Sequence, residues 1–173
     1  VILRPSIVFG PEDEFFNRFA GMTRLSPVVP VVGADTLFQP VYVDDVAKAA
    51  EMAVLGDGPA GIYELGGPDV ESFRALMQRM LAVVHRRRLV IGLPMFVAKI
   101  LAGAFDLLQA VTLGLVRNFM VTRDQVKNLG TDNVVAPDAK GFDALRISPV
   151  SMSSVLPDYL WRFRPSGQYD DIM

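Results

Sequence analysis

An α/β fold built on parallel strands is the class this sequence predicts, and two observations carry it. Short runs rich in β-branched and apolar residues alternate along the chain with stretches whose apolar residues recur at three- and four-residue steps. Gly and Pro punctuate the joints between them, and no internal repeat or low-complexity tract interrupts the pattern.

Taken in order, Val1 to Arg4 reads as a strand and Ser6 to Phe9 as its extension, ending at the Gly10-Pro11 turn. Glu12, Asp13 and Glu14 place negative charge where a helix N-terminus favours it, with Phe15, Phe16, Phe19 and Met22 as the apolar face. Pro27 and Pro30 interrupt the next segment. Phe38 to Val43 predicts a strand, stopped by Asp44-Asp45, which cap a helix from Val46 to Leu55. Ile62 to Leu65 predicts a short strand, Gly66-Gly67-Pro68 a turn, and Glu71 to Val84 a helix with Phe73, Leu76, Met77, Met80 and Leu81 on one face. Leu89 to Leu93 is a further strand. Pro94 suits the first turn of a helix reaching Val111, and Lys99 and Asp106 break up the run of about 18 apolar residues that a membrane span requires. That helix is read as a core or interface element, with docking against a membrane or a large partner left open. Thr122 to Leu129 predicts a helix, Thr131 to Pro137 a loop, Asp138 to Leu145 a short helix, and Ser151 to Phe163 the last ordered segment. Pro165 to Met173 has the composition of a frayed tail.

Composition narrows the chemistry. With 173 residues, 51% hydrophobic and 21% charged, the chain is one domain's worth of packed interior. Opening at Val1 inside a strand, it reads as a fragment. The absence of Cys excludes disulfides, thiolate metal sites and a Cys nucleophile, and the single His85 leaves no His-based metal cluster. A Ser-His-Asp triad would have to use that residue beside Arg86, Arg87 and Arg88, so hydrolase chemistry is not expected. From Ser72 to Phe105 there is no acid and six positive charges, which leaves −8 for the remainder against −2 overall. Such asymmetry fits an anionic partner or a membrane surface, and equally a solvated helix end followed by a buried strand. No nucleic-acid partner is expected.

Gly56-Asp57-Gly58-Pro59-Ala60-Gly61 matches G-x-G-x-x-G, but its context argues against a nucleotide site. That motif turns a strand into a helix whose N-terminus holds pyrophosphate, with an acid about 20 residues on. Here a helix precedes, a strand follows and no such acid is present, so the run reads as a helix-to-strand turn. None of Tyr42, Tyr63, Tyr159 or Tyr169 has Lys at the fourth following position. The Tyr-x-x-x-Lys pair that moves a proton during hydride transfer is therefore not in this chain, and no catalytic or metal-binding residue is assigned.

Leu3-Arg4-Pro5-Ser6-Ile7-Val8-Phe9-Gly10-Pro11-Glu12-Asp13 resembles the stretch that extended and atypical short-chain dehydrogenases place soon after their catalytic Tyr and Lys. Phe38 to Ala47 resembles their later strand-to-helix step, and Tyr63 to Pro68 their next strand and turn. Leu93-Pro94, Thr122 to Val126, Asp132 to Val135 and Tyr159 to Pro165 are similar to the dehydrogenase-like accessory subunit of respiratory complex I and its bacterial homologues. The resemblance implies the C-terminal portion of a Rossmann-type parallel sheet (residues 1–67), a small, mostly helical lobe (68–164) and a tail (165–173), the dinucleotide-binding half lying upstream. It implies NADP or NAD as ligand, held mostly by that half, with the backbone of Pro5, Ser6 and Ile7 approaching the nicotinamide. A structural, assembly or redox-linked role is implied, with an active reductase or nucleotide-sugar epimerase as the alternative. Expected partners are respiratory complex I or another membrane-associated redox complex, and a second copy through exposed strand edges. The expected location is cytoplasmic or peripheral on the inner membrane.

Overall fold

The computed structural model describes residues 1–56, 59–94, 97 and 130–167. Among them, eight strands form four pairs. β1 (Ile2–Pro5) runs parallel to β6 (Ile62–Leu65), β2 (Val8–Phe9) to β5 (Val41–Tyr42), and β3 (Val28–Val32) to β8 (Leu89–Leu93). β4 (Leu37–Phe38) is antiparallel to β7 (Glu71–Ser72). Three parallel pairings between strands distant in sequence require crossovers, and helices supply them. These are α1 (Phe16–Met22), α2 (Val43–Leu55) and α3 (Phe73–Val83), followed late in the chain by α4 (Met152–Leu160). The predicted α/β class and its parallel strands are therefore present.

Two apolar cores result. The larger gathers Phe9, Phe16, Val29, Val31 and Phe38 with the inner face of α3 and, from α4, Met152, Leu156 and Leu160. Phe15, Phe19, Phe38 and Phe73 meet there at centroid separations of 5.4–6.5 Å. Pairs of this kind add about 0.5–1.5 kcal/mol each beyond the area they bury. The smaller core lies under α2, where Val41, Ala49, Tyr63 and Leu65 meet Phe142 and Leu145 of a 3₁₀ turn, Phe142–Leu145.

Several boundaries differ from expectation, each for a tertiary reason. Ser6 to Phe9 does not extend β1; the chain shifts partner at Ser6-Ile7, so that β1 pairs with β6 and β2 with β5. The segment carrying Pro27 and Pro30 contains β3, whose Val29 and Val31 are buried while Pro30 is exposed. An edge strand tolerates a proline where no ladder donor is needed. Phe38 to Val43 divides at Gln39-Pro40 into β4 and β5. Asp44 and Asp45 are not caps: α2 starts at Val43 after Tyr42 and carries both acids in its first turn. Asp45 is fully buried, accepting from Lys48 Nζ at 2.9 Å and from the Val150 N–H at 2.7 Å. Glu71 and Ser72 precede α3, whose Ala75 N–H is capped by Ser72 Oγ at 3.2 Å. Of the short helix expected over 138–145 only the 3₁₀ turn forms, and the last segment is α4 followed by a 3₁₀ turn, Trp161–Phe163. The helices expected from Pro94 to Val111 and from Thr122 to Leu129 lie outside the described residues.

Gly56 closes α2 in the left-handed region at φ +81°, with open space where a Cβ would sit. Together with β6 starting at Ile62, this makes the glycine run a helix-to-strand connection, as expected, although Asp57 and Gly58 lie outside the described residues. Gly56→Ala is expected to lower unfolding free energy by about 1 kcal/mol, from backbone strain alone. Denaturant titration showing an equal or more stable variant would contradict it.

The α4 contact with α1 rests on a hydrogen bond between Tyr159 Oη and Asp13 Oδ2 at 2.6 Å, while Asp13 Oδ1 accepts the Phe16 and Asn17 N–H groups at 2.5 and 3.2 Å. Burial, and then the bond to Asp13, push the Tyr159 hydroxyl far above its ordinary value, so it stays neutral in the fold. An unfolded tyrosine ionises near pH 10, so the native state holds the proton more tightly and its stability falls as pH rises beyond about 10. In Tyr159→Phe this alkaline loss should be reduced, and the stability gap between parent and variant should narrow above that pH. Urea unfolding on either side of pH 10 checks the sign.

Candidate functional site

In an open parallel sheet, ligands bind beyond the carboxyl ends of the strands, because loops leave there in divergent directions. In this chain that edge is where β1 and β6 finish. Pro5 is paired with Leu65, and the Ser6 N–H continues the ladder to the Leu65 carbonyl at 2.9 Å. Pro5 is exposed, Ser6 is half-buried, and Ile7 packs on the larger core with its carbonyl accepting the Val41 N–H at 2.9 Å. The three residues expected near a nicotinamide therefore stand at the strand-end edge, and only Pro5 has an exposed side chain.

Two further segments build the wall around them. Ser6 Oγ donates to the Asn133 carbonyl at 3.1 Å, and that carbonyl also accepts the Gln39 N–H at 3.0 Å. Gln39 spends both ends of its side chain: Nε2 donates to the Gly67 carbonyl at 2.8 Å and Oε1 accepts the Val135 N–H at 2.9 Å. Glu64 Oε2 accepts the Ala136 N–H at 3.0 Å, and the Glu64 N–H reaches the Lys140 carbonyl at 2.9 Å. Residues 132–137, expected as loop, and 138–140, expected to open a short helix, are thereby laced onto β4 and β6 through the isolated pairings Phe38 with Asn133 and Tyr63 with Lys140.

The close approach depends on two glycines. A Cβ on Gly67 would stand 2.1 Å from the Pro40 carbonyl oxygen, and one on Gly66 would meet Gln39 Cδ at 2.5 Å and Val135 Cγ2 at 2.7 Å. The pair Gly66-Gly67 was visible in the sequence as a turn; its crossing beneath Gln39-Pro40 was not. Asn133 gave no signal as a site residue, being 127 positions from Ser6. Chemically the edge offers backbone and amide groups that bind and orient. Among the described residues no group of His, Asp or Glu could hold a metal ion.

The Asp44-Asp45 pair does not face this edge as a carboxylate dyad, since the buried Asp45 is committed to Lys48 and Val150. Gly67→Ala should displace the 39–40 crossing and destabilise the protein by at least about 2 kcal/mol, because the clash is with backbone. Gln39→Ala should lose about 1–3 kcal/mol by leaving Gly67 and Val135 short of partners. Both are read from denaturant midpoints, and a neutral Gly67→Ala would refute the close approach.

No protein-family model matches the chain. Its sequence is 32% identical over 170 residues to the mitochondrial NADH dehydrogenase (ubiquinone) 1 alpha subcomplex subunit 9 of Arabidopsis thaliana, covering 96% of this chain and 42% of that protein. The Rattus norvegicus protein of the same name is 30% identical, over 95% of this chain and 42% of its own length. The chain thus spans about two fifths of the length of these curated relatives. Among solved structures, the dTDP-glucose 4,6-dehydratase of Streptomyces venezuelae with NAD and TYD bound superposes with a TM-score of 0.61 at 16% identity, covering 99% of this chain and 46% of that one. The UDP-glucose 4-epimerase of Thermus thermophilus in complex with NAD gives 0.59 at 17% identity, covering 95% and 46%. The chain therefore carries the Rossmann-like fold of the dehydrogenase-like epimerases and dehydratases, and in sequence it resembles the dehydrogenase-like accessory subunit of respiratory complex I.

Proposed function

We propose that this chain is the C-terminal segment of an NAD(P)-binding, short-chain-dehydrogenase-like protein of the complex I accessory-subunit type, with a structural, assembly or redox-linked role. The observation that carries the reading is the similarity to complex I subunits over 96% of the chain. The fold it shares with NAD-bound dehydratases and epimerases supports the nucleotide. In this reading the phosphates and ribose are held by residues upstream. The strand-end edge supplies the backbone of Pro5, Ser6 and Ile7 to the nicotinamide end of NADP or NAD. Respiratory complex I is the proposed partner, and the proposed location is peripheral on the inner membrane. No helix among the described residues is long and apolar enough to cross a membrane. A second copy joined through exposed strand edges is a separate proposal, tested by whether residues 1–173, produced without the upstream half, self-associate in analytical ultracentrifugation.

The fold match favours one other reading, an active NAD(P)-dependent reductase or nucleotide-sugar epimerase. The two differ in the upstream sequence: an intact Tyr-x-x-x-Lys pair favours turnover, and its loss favours binding alone.

The full-length protein is expected to bind NADPH or NADH in a fluorescence titration. Ser6→Tyr, which fills the half-buried space beside Asn133, should weaken that affinity about tenfold, roughly 1.4 kcal/mol. Failure to bind either nucleotide would overturn the cofactor assignment. Unchanged affinity in Ser6→Tyr would remove Pro5 to Ile7 from the site.

A further inference from the structure

Ser6 stands where the chain changes strand partners, and its backbone is pinned on both sides of that change. Its N–H continues the β1–β6 ladder to the Leu65 carbonyl at 2.9 Å, and the Ile7 carbonyl accepts the Val41 N–H of β5 at 2.9 Å. The half-buried side chain is thereby fixed at the strand-end edge, and its bond to Asn133 lies at the surface. Pro5, before it, has no N–H to offer a ligand.

A serine hydroxyl has one proton and two lone pairs. That proton is spent here, because Ser6 Oγ donates to the Asn133 carbonyl at 3.1 Å. The carbonyl is filled in turn, since the Gln39 N–H reaches it at 3.0 Å. With its N–H and O–H both committed, Ser6 has only acceptor capacity left, and the group it suits is a hydrogen-bond donor. The nicotinamide end of a dinucleotide carries such a donor, the carboxamide NH2.

The partner of this bond adds a second consequence. Segment 132–136 is held largely by single polar bonds: Asp132 Oδ1 accepts the Leu37 N–H at 2.8 Å, Gln39 Oε1 the Val135 N–H at 2.9 Å, and Glu64 Oε2 the Ala136 N–H at 3.0 Å. Asp132, Asn133 and Ala136 are exposed, and Val134 and Val135 are half-buried. A segment with so little buried apolar surface opens at low free-energy cost. A hydroxyl that accepts one hydrogen bond donates a stronger one, by about 10–30%. An N–H donated to Ser6 Oγ therefore tightens the bond from Ser6 to Asn133, and by linkage an ordered segment favours that N–H in return.

We propose that Ser6 determines specificity at the nicotinamide end: its hydroxyl accepts an N–H of the carboxamide and passes that contact through Asn133 to segment 132–136. This role rests on the nucleotide reading above. Calorimetric titration of the full-length protein tests it, comparing NADH or NADPH with the 3-acetylpyridine form of the same reduced dinucleotide, in which a methyl group replaces the carboxamide NH2. The parent is expected to bind the carboxamide form about two- to tenfold more tightly, the range of one neutral hydrogen bond. Ser6→Ala should lose that preference by weakening the carboxamide form alone, and Ser6→Thr, which keeps the hydroxyl, should regain it. Hydrogen exchange over residues 131–137 should slow when the dinucleotide is added to the parent or to Ser6→Thr, and not when it is added to Ser6→Ala. Equal binding of the two forms by the parent would overturn the proposal. So would equal weakening of both forms by Ser6→Ala, which would leave the hydroxyl with the structural task of holding the segment. Unchanged exchange in a parent that prefers the carboxamide form would overturn the link to segment 132–136. A parent that binds neither form fails at the cofactor assignment itself, whereas one that binds both equally fails only here.

Discussion

The crossing of Gly66-Gly67 beneath Gln39-Pro40 is the constraint on which the two cores depend. Phe38, just before the crossing, belongs to the larger core, and Val41, just after it, to the smaller. A side chain at Gly67 would push the backbone carbonyl of Pro40 away, so the position of both strands, and hence of both cores, is set by the lack of a Cβ. Gln39 fixes the same place from above by filling its acceptor and its donor within one side chain. A close approach of backbone to backbone leaves little room for water, which makes those amide partners necessary.

The late part of the chain works as a return strap. From Asn133 to Arg162 it touches early segments through scattered polar bonds: Asn133 on β4, Ala136 on Glu64, Val150 on Asp45, Met152 on Asp69, Tyr159 on Asp13, and Arg162 on Asn17. Three of these use an aspartate to receive a donor from more than 80 residues away. A carboxylate accepting a backbone N–H forms a stronger bond than a neutral acceptor does, and burial makes its loss costly. The described residues contain no buried side-chain polar atom without a partner, so the strap leaves no orphan behind. Long-range bonds of this kind close large loops, and the growth of closure entropy with loop length is slow enough for a few good contacts to offset it.

This division explains what could be read in the sequence. β1, β6 and β8 were legible because each is a short β-rich run whose neighbours break the pattern, and α2 and α3 because their apolar residues keep helical spacing. β3 was hidden by Pro27 and Pro30, which exclude a central strand and not an edge one. The break between β1 and β2 left no local mark, since Ser6 and Ile7 suit an extended chain whichever partner they take. Asp45 looked like a cap because its position near a helix start is local information, whereas its acceptance of the Val150 N–H belongs to residues 105 positions apart. The candidate edge was half legible for the same reason. Pro5, Ser6 and Ile7 follow a readable strand, and Gln39 and Asn133 become neighbours only when three segments meet.

Charge shows the same translation from sequence to space. The acid-free stretch beginning at Ser72 could have been a solvated helix end, yet its three consecutive arginines lie at the C-terminus of α3. There the negative end of the helix dipole favours cations. His85 in the left-handed region turns the chain at that point, with the Arg86 N–H bonded to the Leu81 carbonyl at 3.1 Å, so the arginines that follow are brought around the helix end. Arg24 and Arg162 then arrive from other elements, although like charges repel, and the Phe163 ring between them offers both an attractive face.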